Sequence, residues 1–190
     1  MGEDKAFLNL GGRTLLDRAI EKGRMMMPSV CLVGPAEKLG AYGAVAEDVF
    51  PNRGPLGAIH AALCHTGFSL NLVLAVDLPW VDPAFLKFLV AQAVESRALV
   101  TVPRAGGGWQ PLCAVYHRRF RDVAQAALER GENKIDALFS SVETRIVEET
   151  ELEPFALGAA MFENLNTRQD VERAERRLTE QGRGPAEQTR

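Results

Sequence analysis

The run Leu72-Val73-Leu74-Ala75-Val76 limits what this chain can fold into more than any other segment. Its apolar residues follow one another with no polar alternation, the pattern of a strand covered on both faces, as a central parallel strand is. The run closes at Asp77-Leu78-Pro79, where proline cannot donate to a continuing ladder. On both sides of it, helical and strand patterns alternate. That order predicts an α/β fold, a Rossmann-like three-layer sandwich with a mostly parallel central sheet.

The flanking elements follow from local rules. Gly11-Gly12 makes a turn, and Leu15, Leu16, Ala19 and Ile20 then recur at helical spacing until Pro28 ends the segment. Ser29 to Val33 reads as a buried strand and Val45 to Val49 as a second short one. The loop 50–55 leads into a helix with Leu56, Ile59 and Leu63 on one face. Asp82-Pro83 caps and starts a helix to about Glu95. Leu99–Val102 and Leu112–Tyr116 are strands, Phe120–Leu128 a helix, Lys134–Phe139 a weaker helix and Thr144–Val147 an edge strand. Val171, Ala174 and Leu178 mark a final amphipathic helix. Residues 1–180 are expected to form a single domain, and 181–190 a polar, disordered tail.

Several function classes drop out on charge and hydropathy. A net charge of −3 over 190 residues offers no basic field, so neither nucleic acid nor a membrane surface is an expected partner. No apolar stretch reaches the roughly 20 residues that span a bilayer, and the start Met1-Gly2-Glu3-Asp4-Lys5 has no apolar signal core. Cys31, Cys64 and Cys113 are odd in number and scattered among apolar neighbours. They read as buried free thiols in a reducing cytoplasm.

Asp77 is the most informative candidate. A carboxylate just after a buried strand lies at the carboxyl edge of the sheet, where open α/β folds bind ligands. A hard cation such as Mg²⁺ takes such an oxygen while it also grips phosphate. The alternative is a turn-forming aspartate bonded to nearby amides. Gly54-Pro55-Leu56-Gly57 is a weaker sign: glycine permits close approach of a ligand to backbone, and a helix N-terminus follows. It is also the ordinary form of a loop-to-helix junction. Lys5 could meet a phosphate or be an exposed terminal lysine, and Asp48, beside Glu47, could accept bonds from a base or ribose or simply be solvated. His60 and Cys64 stand four apart on one helix, a spacing that zinc can use but that packing residues show far more often. His117-Arg118-Arg119 reads as a solvated helix start. Gly106-Gly107-Gly108 lacks the Lys-Ser/Thr ending of a Walker loop.

Taken in order, the segments Met1–Ala6, Gly12–Leu16, Glu47-Asp48, Gly54–Leu63, Ala75–Pro79, Gln110–Leu112 and Phe162–Thr167 resemble the molybdenum cofactor guanylyltransferase family, over nearly the whole chain. The resemblance implies transfer of GMP from GTP to molybdopterin with release of pyrophosphate. It implies Mg²⁺ as cofactor, GTP and molybdopterin as partners, and molybdoenzymes or their chaperones as recipients in the cytoplasm. Lys5 matches the lysine that meets the nucleotide phosphates, and Asp77 matches the aspartate that binds magnesium. Asp48 and Gly54 match positions on the nucleotide side of the cleft. Asn164 and Asn166 fall in the segment on the pterin side.

One departure is large. The family opens with a strand and a loop of the type Leu-Ala-Gly-Gly-x-Ser-x-Arg-Met-Gly-x-Asp-Lys, and the match here starts at Met1, inside that loop. The expectation is an internal methionine taken as the start, or a shortened chain, with strand edges and apolar surface exposed on the neighbouring elements. Ala58, where a second glycine is common, and Arg168, where a proline often opens the last helix, depart in smaller ways. Two other readings stay open: a nucleotide-binding protein without catalysis, and a relative that transfers cytidylyl to molybdopterin or activates a sugar 1-phosphate.

Overall fold

A computed structural model describes residues 4–182, apart from the side chains of 168 and 177–182. Asn9–Leu10 (β1) and Arg13–Thr14 (β2) form a hairpin whose turn, Gly11-Gly12, has φ of 59° and 80°. Two consecutive positive φ angles are what a two-residue turn of matching twist requires, and glycine adopts them without steric cost. Helix Leu15–Met26 (α1) starts at once, with Thr14 as its cap accepting from the Asp17 amide at 3.0 Å. Cys31–Val33 (β3) runs parallel to Ala44–Ala46 (β4), with the short helix Ala36–Leu39 (α2) between them. Gly54–His65 (α3) then leads to Leu70–Leu74 (β5).

The remaining elements build the main sheet. Pro83–Ser96 (α4) begins where Asp82 accepts from the Ala84 amide at 2.7 Å, with proline in the first helical turn. Val100–Ala105 (β6), Gly108–Trp109 (β7), Cys113–His117 (β8), Phe120–Glu129 (α5), Asp136–Phe139 (α6), Thr144–Val147 (β9) and Arg168–Gly182 (α7) follow. The five-stranded sheet has the order β5-β8-β6-β7, with β9 also on β6.

Side chains of β8 alternate between two cores, as the two-residue period of a strand demands. Ala114 and Tyr116 join α3 and α5 on one face, through Leu56, Ile59, Leu63, Phe120 and Ala124. Cys113 and Val115 join α4 on the other, through Phe85, Leu86 and Leu89. A sheet between two helical layers is the expected three-layer sandwich.

The sheet is not mostly parallel. β5–β8, β6–β8 and β6–β7 are antiparallel, and within the five-stranded sheet only β6–β9 runs parallel. Helices cover both faces, so an antiparallel strand here is as uniformly apolar as a parallel one, and the apolar run carries no information about direction.

The thiols also differ from expectation. Cys113 is buried, but Cys31 and Cys64 are exposed. Cys31 opens a strand whose sheet has only two members, and Cys64 falls in the last turn of α3 outside the apolar face formed by Leu56, Ile59 and Leu63. Among the described residues, β3 pairs only with β4, and β5 only with β8. The unpaired sides of these strands border a cavity of about 500 Å³ whose apolar walls include Leu16, Ile20, Leu32, Ile59, Leu72 and Leu74. Met1-Gly2-Glu3, the packing of Leu178 and the tail from 183 onward lie outside the described residues. No helix among the described residues is long and apolar enough to cross a membrane.

Candidate active site

Three distant segments meet at the edge of the main sheet. The first is a single 3-10 turn, Lys5–Phe7, capped by Asp4, whose carboxylate accepts from the Ala6 amide at 3.3 Å. The second follows β5, where the Ala75 amide makes a last bond to the Leu112 carbonyl at 2.7 Å before the chain turns through Asp77. The third is the stretch before α7, held by Asp170. The Asp170 carboxylate accepts from the amides of Asn166 at 3.1 Å and Thr167 at 2.8 Å. Hydrogen bonds from the Thr167 hydroxyl, then from these amides, hold the Asp170 carboxyl below the usual carboxylate range.

Lys5 joins the three. Its Nζ lies 3.8 Å from Asp77 Oδ2 and donates a short hydrogen bond to Asn166 Oδ1. The backbone closes the same junction, since the Leu165 amide donates to the Asp77 carbonyl at 3.0 Å. Asn164 is exposed on that segment. A second cation stands nearby: Lys38 Nζ pairs with Asp4 at 3.1 Å, and Asp4, Lys38 and Asp77 share the rim of the apolar cavity.

The Asp77 carboxylate receives no backbone amide among the described residues. Its side chain is 20% exposed and faces the ammonium of Lys5. No group of three or more His, Cys, Asp or Glu side chains that could hold a metal occurs among the described residues. One carboxylate suits Mg²⁺ nonetheless, because that ion keeps several waters and takes one or two carboxylates together with substrate phosphates. The donor set fits a shared substrate–metal site and not a closed protein cage. Among the described residues, His60 and Cys64 belong to no group of three or more such side chains. His60 packs edge-on against Phe50 at 5.2 Å, and burial lowers its pKa.

Asp48 and Gly54 stand apart from the Lys5 junction. Asp48 Oδ1 accepts from the Phe50 amide at 3.3 Å and lies against the first turn of α3. Gly54, with φ of 61°, opens that helix. A Cβ on Gly57 would fall 3.0 Å from Asp48 Oδ1 and 3.0 Å from the Phe50 carbonyl, so the missing side chain lets the 48–50 loop approach α3. At Gly57 the close approach that glycine permits is therefore made by the protein's own loop, whereas a Cβ on Gly54 would meet nothing within 4 Å.

Two further side chains escaped the sequence reading. Arg18 donates to the Leu10 carbonyl from Nε at 3.0 Å and Nη2 at 2.6 Å. Lys22, one turn later on α1, donates to the carbonyls of Pro79 at 2.5 Å and Val81 at 2.8 Å. Burial pulls the Lys22 pKa from 10.5 to about 8, with Arg18 acting in the same direction and Cys113 and Asp82 opposing. Their i, i+4 spacing on a helix with apolar neighbours was the available signal.

Comparison with known proteins bears on this arrangement. Residues 1–146 match the model of the MobA-like NTP transferase domain. A molybdenum cofactor guanylyltransferase of Desulfosudis oleivorans is 33% identical over 176 residues, covering 92% of this chain and 87% of that protein. The crystal structure of molybdopterin-guanine dinucleotide biosynthesis protein A from Archaeoglobus fulgidus superposes with a TM-score of 0.81 at 27% identity, covering 94% of this chain and 92% of the other. The 2-C-methyl-D-erythritol 4-phosphate cytidylyltransferase of Thermus thermophilus shares the fold, with a TM-score of 0.66 at 20% identity over 92% of this chain and 94% of that one. The chain belongs to the MobA-like NTP transferase family and is a nucleotidyltransferase of the molybdenum cofactor guanylyltransferase group.

Proposed function

We propose that this chain transfers GMP from GTP to molybdopterin. The observation that carries the reading is the junction of Lys5, Asp77 and Asn166, which sets a cation beside a part-exposed carboxylate. A phosphate oxygen of molybdopterin attacks the α-phosphorus of GTP. A P–O bond forms there, the bond from the α-phosphorus to the bridging oxygen breaks, and pyrophosphate leaves. Such a reaction needs positioning and charge neutralisation rather than a protein nucleophile.

Lys5 lies where its ammonium can offset charge on the departing phosphates. Asp77 is assigned as the ligand of Mg²⁺, which when bound supplies positive charge to phosphate oxygens. Asn166 is assigned to orient Lys5 through their hydrogen bond, and Asn164, exposed on the same segment, is assigned to the pterin side. Asp48 and Gly54, at the N-terminal end of α3, are assigned to the nucleotide side of the cleft.

Residues 1–180 act as one catalytic domain on this reading, because Lys5 near the start and Asn166 near the end share one site. The reaction is assigned to the cytoplasm, where the thiols of Cys31, Cys64 and Cys113 stay reduced, and its product passes to molybdoenzymes or their chaperones.

The test is pyrophosphate release in the presence of molybdopterin with GTP, CTP or ATP as donor and Mg²⁺ supplied. Turnover with GTP in preference to CTP and ATP is expected. Preference for CTP would remove the guanylyl assignment, and tight GTP binding without pyrophosphate release would make this chain a binding protein.

A further inference from the structure

The segment that carries Asp77 is anchored by the buried side chains of Leu78 and Val81 and by groups outside it. Between β5 and α4 it turns twice, and its backbone bond from the Val81 amide to the Leu78 carbonyl is long at 3.5 Å. Pro79 contributes no amide at all. Its backbone is held by further groups: the Leu165 amide takes the Asp77 carbonyl, Asp82 caps α4, and Lys22 takes the carbonyls of Pro79 and Val81 together.

An ammonium with three donors can bind two carbonyls two residues apart and so fix the path of the chain between them. Lys22 projects from α1, whose preceding turn carries Arg18 with two bonds to Leu10, just beyond the Lys5 segment. Arg18 and Lys22, one turn apart on one helix, therefore grip the chain after Lys5 and again after Asp77. The charged or titratable groups about Lys22 are Arg18 on its own helix, Asp82 at the start of α4 and Cys113 on β8.

We propose that Lys22 is a positioning residue that fixes the Asp77 carboxylate for divalent-cation binding by clamping the carbonyls of Pro79 and Val81. The inference rests on the assignment of Asp77 as metal ligand. Groups that hold a ligand's own support in place commonly change metal affinity by about 10–100-fold when removed.

Manganese titration of the intact chain, followed by the EPR signal of free Mn²⁺, reads the effect without turnover. Lys22→Met should weaken Mn²⁺ binding about tenfold. The same variant should lower kcat by a similar factor while KM for GTP stays within about twofold. Lys22→Arg, which can still donate to both carbonyls, should recover most of the loss, and Lys22→Gln, with its shorter donor, should fall between. Should Lys22→Met fail to fold by circular dichroism, the Arg and Gln variants carry the comparison. Asp77→Asn is the reference. Unchanged Mn²⁺ affinity in the Lys22 variants, with binding lost in Asp77→Asn, would overturn the positioning role and leave the metal assignment intact. Unchanged affinity in Asp77→Asn would overturn the metal assignment and the inference with it.

Discussion

Lys5 Nζ and Asp77 Oδ2 lie 3.8 Å apart, although two hairpin strands, three helices and three further strands separate these residues in the chain. The lysine side chain is 48% exposed, so the pair contributes little to stability, as exposed ion pairs generally do. Their proximity matters for chemistry. A positive and a negative group at one rim can divide a polyphosphate between them, the ammonium meeting its oxygens directly and the carboxylate through a cation.

The two residues should accordingly fail in different ways. Asp77→Ala should reduce metal-dependent pyrophosphate release by at least about 100-fold, since removing a single preorganised electrostatic group has effects of that size. Lys5→Ala should lower kcat by a factor on the order of 10–100 and leave the melting temperature nearly unchanged. Steady-state kinetics beside thermal melts check both. Near-normal turnover in Asp77→Ala would place the metal elsewhere, and a large loss of stability in Lys5→Ala would make the lysine structural.

Gly57→Ala sets two effects against each other. Alanine is the better helix former by about 0.5–1 kcal/mol. Its Cβ would meet two oxygens at 3.0 Å, one of them the backbone carbonyl of Phe50, which cannot swing away as a side chain does. Crowding of this kind costs about 1–3 kcal/mol, so net destabilisation is expected. Urea unfolding should show a lower midpoint, and displacement of Asp48 should raise KM for GTP. A higher midpoint would mean that the 48–50 loop yields without cost.

Thr101 offers a change in the opposite direction. It is buried at 1% exposure in β6, and its hydroxyl has no hydrogen-bond partner among the described residues. Replacing the hydroxyl with a methyl of the same shape removes an unpaid desolvation. Thr101→Val should stabilise the fold by about 1 kcal/mol, seen as a rise in the unfolding midpoint. A loss of stability would reveal a partner for the hydroxyl in solution.

Lys22 should leave a signature in the pH dependence of stability. Its folded pKa of about 8 lies below its ordinary 10.5. Below pH 8 both the folded and the unfolded chain carry the proton. Between about 8 and 10.5 the unfolded chain keeps it and the folded chain releases it, so stability rises with pH through that window. The neutral amine still has two hydrogens for its two carbonyls. Comparing wild type with Lys22→Met by denaturant unfolding at several pH values should isolate a gain of about 1–3 kcal/mol that the variant lacks. Parallel curves for the two proteins would place the lysine in a better-solvated position.

Local sequence rules located most elements because the signals were themselves local. Asp82-Pro83 marked the start of α4 correctly, and Gly11-Gly12 marked the first hairpin. The apolar run 72–76 is two residues late relative to β5, since Ala75 lies just past the strand and Val76 begins the turn. Strand direction was not legible, because pairing with β8 depends on a partner some 40 residues away and leaves no trace in the strand's own composition. Of the candidate residues, Lys5, Asp77 and Asn166 come together in the fold, which spacing alone could not show. Lys22 was missed because an amine half-sunk among carbonyls looks, in a sequence, like any helical lysine.

The two-stranded ladder of β3 and β4 has an energetic consequence. Among the described residues its ladder bonds link residues 31–33 to 44–46 and not to any strand of the five-stranded sheet. Among the described residues, the stretch from Cys31 to Ala46 is therefore joined to the rest of the molecule through contacts such as those of β3 and β4 with α3 and the Lys38–Asp4 pair, not through ladder bonds to the main sheet, and these contacts carry its attachment energy. Lys38 lies inside that stretch and reaches Asp4 from it, so one corner of the rim is tied to this ladder, while the Lys5–Asp77 pair is formed by other segments.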